Sequence, residues 1–123
     1  MKIKTSELTG PALDWAVAKC NGIPLVLAPF TGAKNFVMLS QGGKPTTHAY
    51  EPSTSWAQGG PIIDKMGEGG LILMRATVKS LGWRASLDFP NRFCFGLTPL
   101  IAAMRCYVAS KLGDEIEIPE ELQ

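Results

Sequence analysis

The sequence has few of the residues from which metal sites and redox sites are built. It contains one histidine, His48, and three cysteines, Cys20, Cys94 and Cys106, among its 123 residues. One histidine cannot form a multi-histidine metal site. The cysteines form no C-x-x-C pair, which argues against a zinc ribbon or a thioredoxin-type site. We therefore expect no metal, no cofactor and three reduced thiols.

Long apolar runs and an excess of one charge are also missing. No uncharged apolar run approaches the roughly 20 residues that cross a bilayer, and the first residues lack the apolar core of a signal peptide. Twelve basic and eleven acidic residues give a net charge of +1, from which we expect no direct nucleic-acid binding. Five acids fall in the last ten residues, so residues 1–113 carry +6. We predict a cytoplasmic protein with no membrane contact, built as one domain over 1–113 and an acidic tail over 114–123.

Apolar spacing and capping residues predict an α+β domain with a mostly antiparallel sheet of about five short strands. An N-terminal helix is predicted from near Thr9, a good N-cap, to Gly22. A C-terminal helix has Thr98 as its N-cap, Pro99 in its first turn and Gly113 at its end. Strands are predicted over 23–28, 35–39, 71–79 and 82–88, with shorter ones at 2–5 and 92–95 and a turn at 29–32.

The segment from Gln41 to Pro61 differs in composition from the rest of the chain. Residues 42–61 include four glycines, three prolines, five serines or threonines and only two charged residues. Disordered segments are poor in aromatic residues, whereas this one contains Tyr50 and Trp56. Long ordered loops in small domains are usually functional. We predict an ordered, functional loop here, followed by a short helical turn at 61–65.

A ligand-binding site is predicted within residues 50–60. Tyr50 and Trp56 offer flat rings for stacking, and Gly59 and Gly60 let a backbone approach a ligand closely. The hydrogen-bonding side chains of this stretch are Ser53, Thr54, Ser55 and Gln58. The alternative is a loop packed by its own aromatic rings, whose hydroxyl groups stabilise turns.

Two arginines outside the loop complete the predicted site. Arg84, on a predicted strand, and Arg105, in the C-terminal helix, are expected to meet a phosphate group. A nucleotide-type small molecule would suit such a site, because its ring could stack on Trp56 and its phosphate could bind an arginine. No G-x-S-x-G motif is present, and Pro45 interrupts the one stretch that imitates a phosphate-binding loop. We therefore predict binding without catalytic residues.

Three stretches of the sequence resemble the NinX-like proteins of tailed phages and prophages. They are residues 1–22, 50–64 and 98–114, with Leu-Asp-Trp-Ala-Val-Ala-Lys in the first and Ser-Thr-Ser-Trp-Ala-Gln-Gly-Gly in the second. The resemblance covers both ends and the centre of the chain. It implies a phage-encoded accessory protein in the cytoplasm of a bacterial host, and it implies no particular activity.

Three functions remain open at this point. The first is a non-enzymatic binder that sequesters a nucleotide-type host signal, as in counter-defence. The second is a protein-interaction module that modulates a host or phage protein through the same loop, and the third is an accessory factor in phage recombination. A pocket roofed by Trp56 would favour the first, and a convex, exposed Trp56 the second. Surplus apolar groups such as Trp15 and Tyr107 predict a homodimer or a higher homo-oligomer.

Overall fold

The computed structural model describes residues 2–29, 35–41, 44–88 and 91–122, and within them it shows three helices and eight strands. The helices are α1 (Gly10–Asn21), α2 (Trp56–Gly67) and α3 (Pro99–Leu112). The strands are β1 (Lys2–Lys4), β2 (Leu25–Pro29), β3 (Asn35–Gln41), β4 (Lys44–Ala49), β5 (Ile72–Arg75), β6 (Trp83–Leu87), β7 (Arg92–Gly96) and β8 (Glu115–Glu117). Single 3₁₀ turns lie at Thr5–Glu7, Lys79–Leu81 and Glu120–Leu122.

The strands form three small antiparallel sheets, ordered β1-β8, β2-β3-β4 and β5-β6-β7. The predicted α+β class with antiparallel strands is therefore confirmed. The strands are more numerous than the expected five, and they are divided among three sheets. The turn predicted at 29–32 falls mainly on residues outside the described part.

The two predicted helices begin and end at their capping residues. The Thr98 hydroxyl accepts a hydrogen bond from the Ile101 backbone N–H at 3.1 Å, which satisfies one free donor of the first turn of α3. Gly22 adopts φ 64° directly after α1, a left-handed conformation that costs glycine little. These local signals mark where the two helices begin and end, which is why the sequence predicts their positions.

The core lies around α3, which packs against the β5-β6-β7 sheet and against α1. Met104 and Val108 of α3 are fully buried, as are Leu13 and Val17 of α1. Gly96 of β7 permits the close approach, because an added Cβ would lie 2.4 Å from the Ala102 backbone nitrogen. The first turn of α3 is thus held tightly against the sheet.

The last ten residues, predicted as an acidic tail, carry a strand and a core residue. β8 pairs with β1 so that Lys2 lies opposite Glu117 and Lys4 opposite Glu115. Opposite charges on facing positions favour this pairing. Ile118, which follows β8, is only 2% exposed. Burial of Ile118 and the two charge pairs hold this segment on the body of the protein.

The predicted loop between Gln41 and Pro61 contains β4 and the first half of α2. The expected turn at 61–65 is the second half of the same helix. Gly59, Gly60 and Pro61 are poor helix formers in the interior of a helix. The helix forms nevertheless, because Gly59 and Met66 are buried against the rest of the protein.

Candidate ligand-binding site at the start of two helices

A hydrogen-bonded turn over residues 51–55 sets the direction of α2. The Glu51 carbonyl accepts hydrogen bonds from the backbone N–H groups of Thr54 at 3.1 Å and Ser55 at 2.8 Å. The Gln58 side-chain oxygen accepts one from the Glu51 N–H at 2.6 Å. Gln58, a predicted ligand contact, thus ties the first turn of α2 to the preceding segment. The position of Trp56 follows from this turn.

Asp14 of α1 anchors the same turn from inside the protein. Its carboxylate accepts a hydrogen bond from the Ser53 backbone N–H at 2.8 Å, and Asp14 is only 5% exposed. Burial raises the pKa of Asp14 from 3.8 to about 6, although the Ser53 backbone and side chain oppose the rise. The Ser53 hydroxyl lies near enough to lower this pKa but makes no hydrogen bond of good geometry.

Tyr50 lies in the core beneath the turn. It is buried, and burial raises the pKa of its hydroxyl, while a hydrogen bond with the Asn21 side chain opposes the rise. The Tyr107 hydroxyl, which is also buried, donates to the Asn21 oxygen at 2.5 Å. Both tyrosines therefore meet the C-terminal end of α1, and the ring of Tyr50 packs inside the protein.

Trp56 is the exposed ring of the predicted site. It is the first residue of α2 and is 57% exposed. Its side chain borders a cavity of about 190 Å³, which is lined by Ser53 and Thr54 on one side and by the first turn of α3, 98–101, on the other. None of these lining residues is ionisable. The first turns of two helices therefore meet at one small, uncharged cavity.

Gly59 brings the two helix starts together. A Cβ at Gly59 would lie 2.5 Å from the Pro52 carbonyl oxygen and 2.6 Å from Leu100 Cδ2. A Cβ at the neighbouring Gly60 would meet nothing within 4 Å. Gly59 is thus needed for the contact between α2 and the first turn of α3, whereas Gly60 faces open space.

The two predicted arginines lie away from this cavity. Arg105 donates from Nε to the Leu8 carbonyl at 2.7 Å and from Nη1 to the Phe95 carbonyl at 2.8 Å, so it links α3 to two neighbouring segments. Arg84 lies over the ring of Phe93, 5.0 Å from its centroid. Of the ten residues predicted for the site, Ser53, Thr54 and Trp56 line the cavity. Their role in binding stays a prediction.

The residues that sequence reasoning missed are those of the first turn of α3, Thr98 to Ile101. Thr98 and Pro99 were recognised as a helix start, but only as a structural signal. A prediction of α2 from Ser55, the residue at its N-cap position, would have placed a second helix start in this part of the chain. The contact between those two starts depends on Gly59, which no local pattern predicts.

The described ranges contain neither a candidate metal site nor a candidate membrane-spanning helix. No cluster of three or more histidine, cysteine, aspartate or glutamate side chains there has the geometry to hold a metal ion. None of the helices in the same ranges is long and apolar enough to cross a membrane.

The fold is that of a small α+β protein. The family model of bacteriophage P22 NinX matches residues 4–111, which is most of the chain. The chain therefore belongs to the P22 NinX family, as the resemblance of its three stretches predicts. No curated protein matches the chain.

Proposed function

We propose that this NinX-family protein is a non-enzymatic binding protein, and that the cavity beside Trp56 holds a ring-bearing anion of the nucleotide type. In the infected cell such a protein would sequester a small-molecule host signal. The observation that carries the proposal is the cavity beside Trp56, which Ser53, Thr54 and the first turn of α3 line.

The ring of the ligand would stack on Trp56. An indole that is 57% exposed leaves most of its surface in water, so covering it with a second ring is favourable. Stacking of a base on an aromatic side chain contributes about 1–3 kcal/mol. Thr54, which is exposed beside Trp56, offers a hydroxyl to the edge of such a ring.

The anionic group would lie at the helix starts. Backbone N–H groups and helix dipoles favour an anion there, by about 0.3–1 kcal/mol each at exposed sites and up to about 2 kcal/mol in partly buried ones. No carboxylate among the described residues lines the cavity, and the Asp14 carboxylate lies behind it, where it accepts the Ser53 backbone N–H bond. The backbone N–H groups of Ser53, Thr54 and Ile101 are already hydrogen-bonded within the protein, so in this arrangement the dipoles of the two helices take the part expected of Arg84 and Arg105.

The size of the cavity limits what it can enclose. At about 190 Å³ it is smaller than the roughly 300–1,000 Å³ of sites that enclose a whole drug-sized ligand. It would therefore take part of a ligand and leave the remainder on the surface. The same observation supports a second candidate function, in which a partner protein contacts the exposed Trp56.

Calorimetry with a panel of nucleosides, mononucleotides and cyclic dinucleotides tests the proposal. Trp56→Ala removes the stacking surface and should reduce affinity about tenfold or more. Val78→Ala removes an equally exposed apolar side chain between β5 and β6, and should bind as the wild type does. The ligand should be recovered chemically unchanged.

Several outcomes would contradict the proposal. If Trp56→Ala lost several kcal/mol of stability, as buried tryptophans do, the indole would be a core residue. Turnover of a ligand would make the protein an enzyme. Absence of heat with the whole panel, together with a host protein that co-purifies only when Trp56 is present, would establish the interaction module instead.

A further inference from the structure

A groove lies at the edge of the β5-β6-β7 sheet, between strand β7 and two of the 3₁₀ turns. Ser6 of the first 3₁₀ turn lines one part of it, and Ser80 and Leu81 of the second line another. Arg105 of α3 also lines the groove, which has a volume of about 420 Å³. Strand β7 and the residue after it supply the rest of the lining: Phe93, Cys94, Phe95, Gly96 and Leu97. We call this cavity the Arg105 groove.

Two close contacts fix the walls of the Arg105 groove. Gly82, which follows the second 3₁₀ turn, has φ 75° and forms a bridge with Gly96; an added Cβ at Gly82 would lie 2.5 Å from the Gly96 carbonyl oxygen. The second turn is therefore held against the end of β7. Arg105 links β7 to the first turn, because it donates to the carbonyl groups of Phe95 and of Leu8, the residue after that turn.

Arg105 is a half-buried cation whose partners in the structure are neutral. Its bonds to the two carbonyl groups use two of the five N–H donors of a guanidinium. Burial lowers the pKa of Arg105, and the group that opposes this effect is the Cys94 thiol, not a carboxylate. A charge that is partly removed from water without a counter-charge is costly, so an anion bound to the remaining donors would stabilise it.

The acidic side chains of this region line a neighbouring cavity instead. That cavity, of about 200 Å³, shares two residues of β7 with the Arg105 groove and is lined by Asp114 and Glu115. Asp114 Oδ1 lies 3.7 Å from Arg92 Nε, so this carboxylate pairs with a different arginine. Among the described residues that line the Arg105 groove itself, Arg105 is the one that carries a charge. The groove therefore presents a single positive charge.

The rest of the lining is mainly apolar and open to solvent. Leu97 is 75% exposed, and Phe93 and Leu81 are exposed as well. The rings of Phe93 and Phe95 meet edge to face, with their centroids 6.0 Å apart. A volume of about 420 Å³ lies within the roughly 300–1,000 Å³ of small-molecule sites, which combine apolar walls with a few polar groups. One cation in such a groove is complementary to a small molecule with an apolar body and one anionic head.

We propose that the Arg105 groove binds a small apolar monocarboxylate, with its carboxylate on the Arg105 guanidinium and its apolar body against Phe93, Phe95 and Leu97. A carboxylate can accept two parallel N–H bonds from a guanidinium. A nucleotide fits less well, because its phosphate carries more negative charge than one guanidinium balances. The groove shares no lining residue with the Trp56 cavity, so either proposal can fail without the other.

Calorimetry of the full chain with octanoate, octanol and octylammonium tests the role of charge. The three compounds share one alkyl chain and differ in their head group. Octanoate should bind about tenfold or more tightly than octanol, because hydrogen bonds between charged groups are strong, and octylammonium should bind most weakly. Lengthening the chain from hexanoate to octanoate should tighten binding about fourfold per methylene, since each added methylene is covered by the apolar wall.

Three variants test the location of the site. Leu97→Ala shortens an exposed side chain of the lining and should weaken octanoate binding about fivefold. Ile72→Ala shortens an exposed side chain of β5 that does not line the groove, and should match the wild type. Arg105→Gln should weaken octanoate about tenfold or more and leave octanol unchanged, which a purely structural role of Arg105 would not produce. If Arg105→Gln fails to fold, the head-group series and Leu97→Ala remain as tests.

Four results would overturn the proposal. The first is no binding of octanoate, or equal binding of octanoate and octanol. The second is equal loss from Leu97→Ala and Ile72→Ala, which would indicate adsorption to exposed apolar surface in general. The third is equal loss of octanoate and octanol binding in a folded Arg105→Gln variant. The fourth is a dimer that Leu97→Ala converts to a monomer, without octanoate binding, because a second copy of the chain would then cover the groove.

Discussion

Replacing Asp14 by asparagine should change how the stability of the protein depends on pH. Burial raises the pKa of Asp14 from 3.8 to about 6. The folded state therefore holds this proton more tightly than the unfolded state. The stabilisation of the folded state by the proton on Asp14 is fully present below about pH 4 and is lost as the pH rises through 6. At about 1.4 kcal/mol per pKa unit, the loss by pH 7 amounts to about 3 kcal/mol.

Asp14→Asn keeps an oxygen that can accept the Ser53 N–H bond but cannot ionise. The free energy of unfolding of Asp14→Asn, measured relative to wild type, should therefore rise by about 3 kcal/mol between about pH 4 and pH 7. Urea unfolding followed by circular dichroism at several pH values measures this difference. Asp64→Asn, which removes an exposed carboxylate from α2, should show no comparable trend. A difference that stays constant with pH, or that falls, would refute the assignment of Asp14 as a buried, destabilised carboxylate.

The close approach of the helices and the arginine contacts yield further predictions, all measurable by chemical denaturation. Gly59→Ala should cost about 1–3 kcal/mol, because its Cβ would meet the Pro52 backbone oxygen at 2.5 Å. Gly60→Ala, with open space around its Cβ, should be neutral or stabilise by up to about 1 kcal/mol; equal effects would contradict the packing described. Arg105→Ala should cost about 2–4 kcal/mol, since two carbonyl groups lose a charged donor, and an unchanged midpoint would show that those bonds contribute nothing.

The parts of the fold that the sequence predicted are those with strong local signals. α3 was predicted from Thr98, Pro99 and Gly113, and in the structure it runs from Pro99 to Leu112. The strands of the β5-β6-β7 sheet were predicted within a few residues from alternation and turn residues. Each of these elements is specified by residues that lie close together in the sequence. The sequence of this protein alone is therefore enough to predict it.

The parts that were missed depend on contacts between distant residues. α2 contains Gly59, Gly60 and Pro61 and forms because of tertiary packing, which helix propensity does not report. β8 is three residues long, and its signal is the match between Lys-Ile-Lys in β1 and Glu-Ile-Glu. That match becomes visible only when the two ends of the chain are compared.

The candidate site was also predicted only in part from the sequence. Trp56 was identified because an aromatic residue in a glycine- and proline-rich stretch is unusual, and the structure leaves it exposed. Tyr50 satisfies the same criterion, yet it packs in the core because Asn21 and Tyr107 meet it there. Composition marks a segment as unusual, but only the fold decides which of its rings faces solvent.

Mass spectrometry of small molecules released from the purified protein tests the central proposal most directly. Wild-type protein and Trp56→Ala would be purified in parallel from phage-infected bacteria, denatured, and their soluble contents compared. We expect a ring-bearing anion in an amount comparable to the wild-type protein, chemically intact, and strongly depleted from the variant. Release of the same molecules in equal amounts from both proteins, or of none from either, would contradict binding at Trp56.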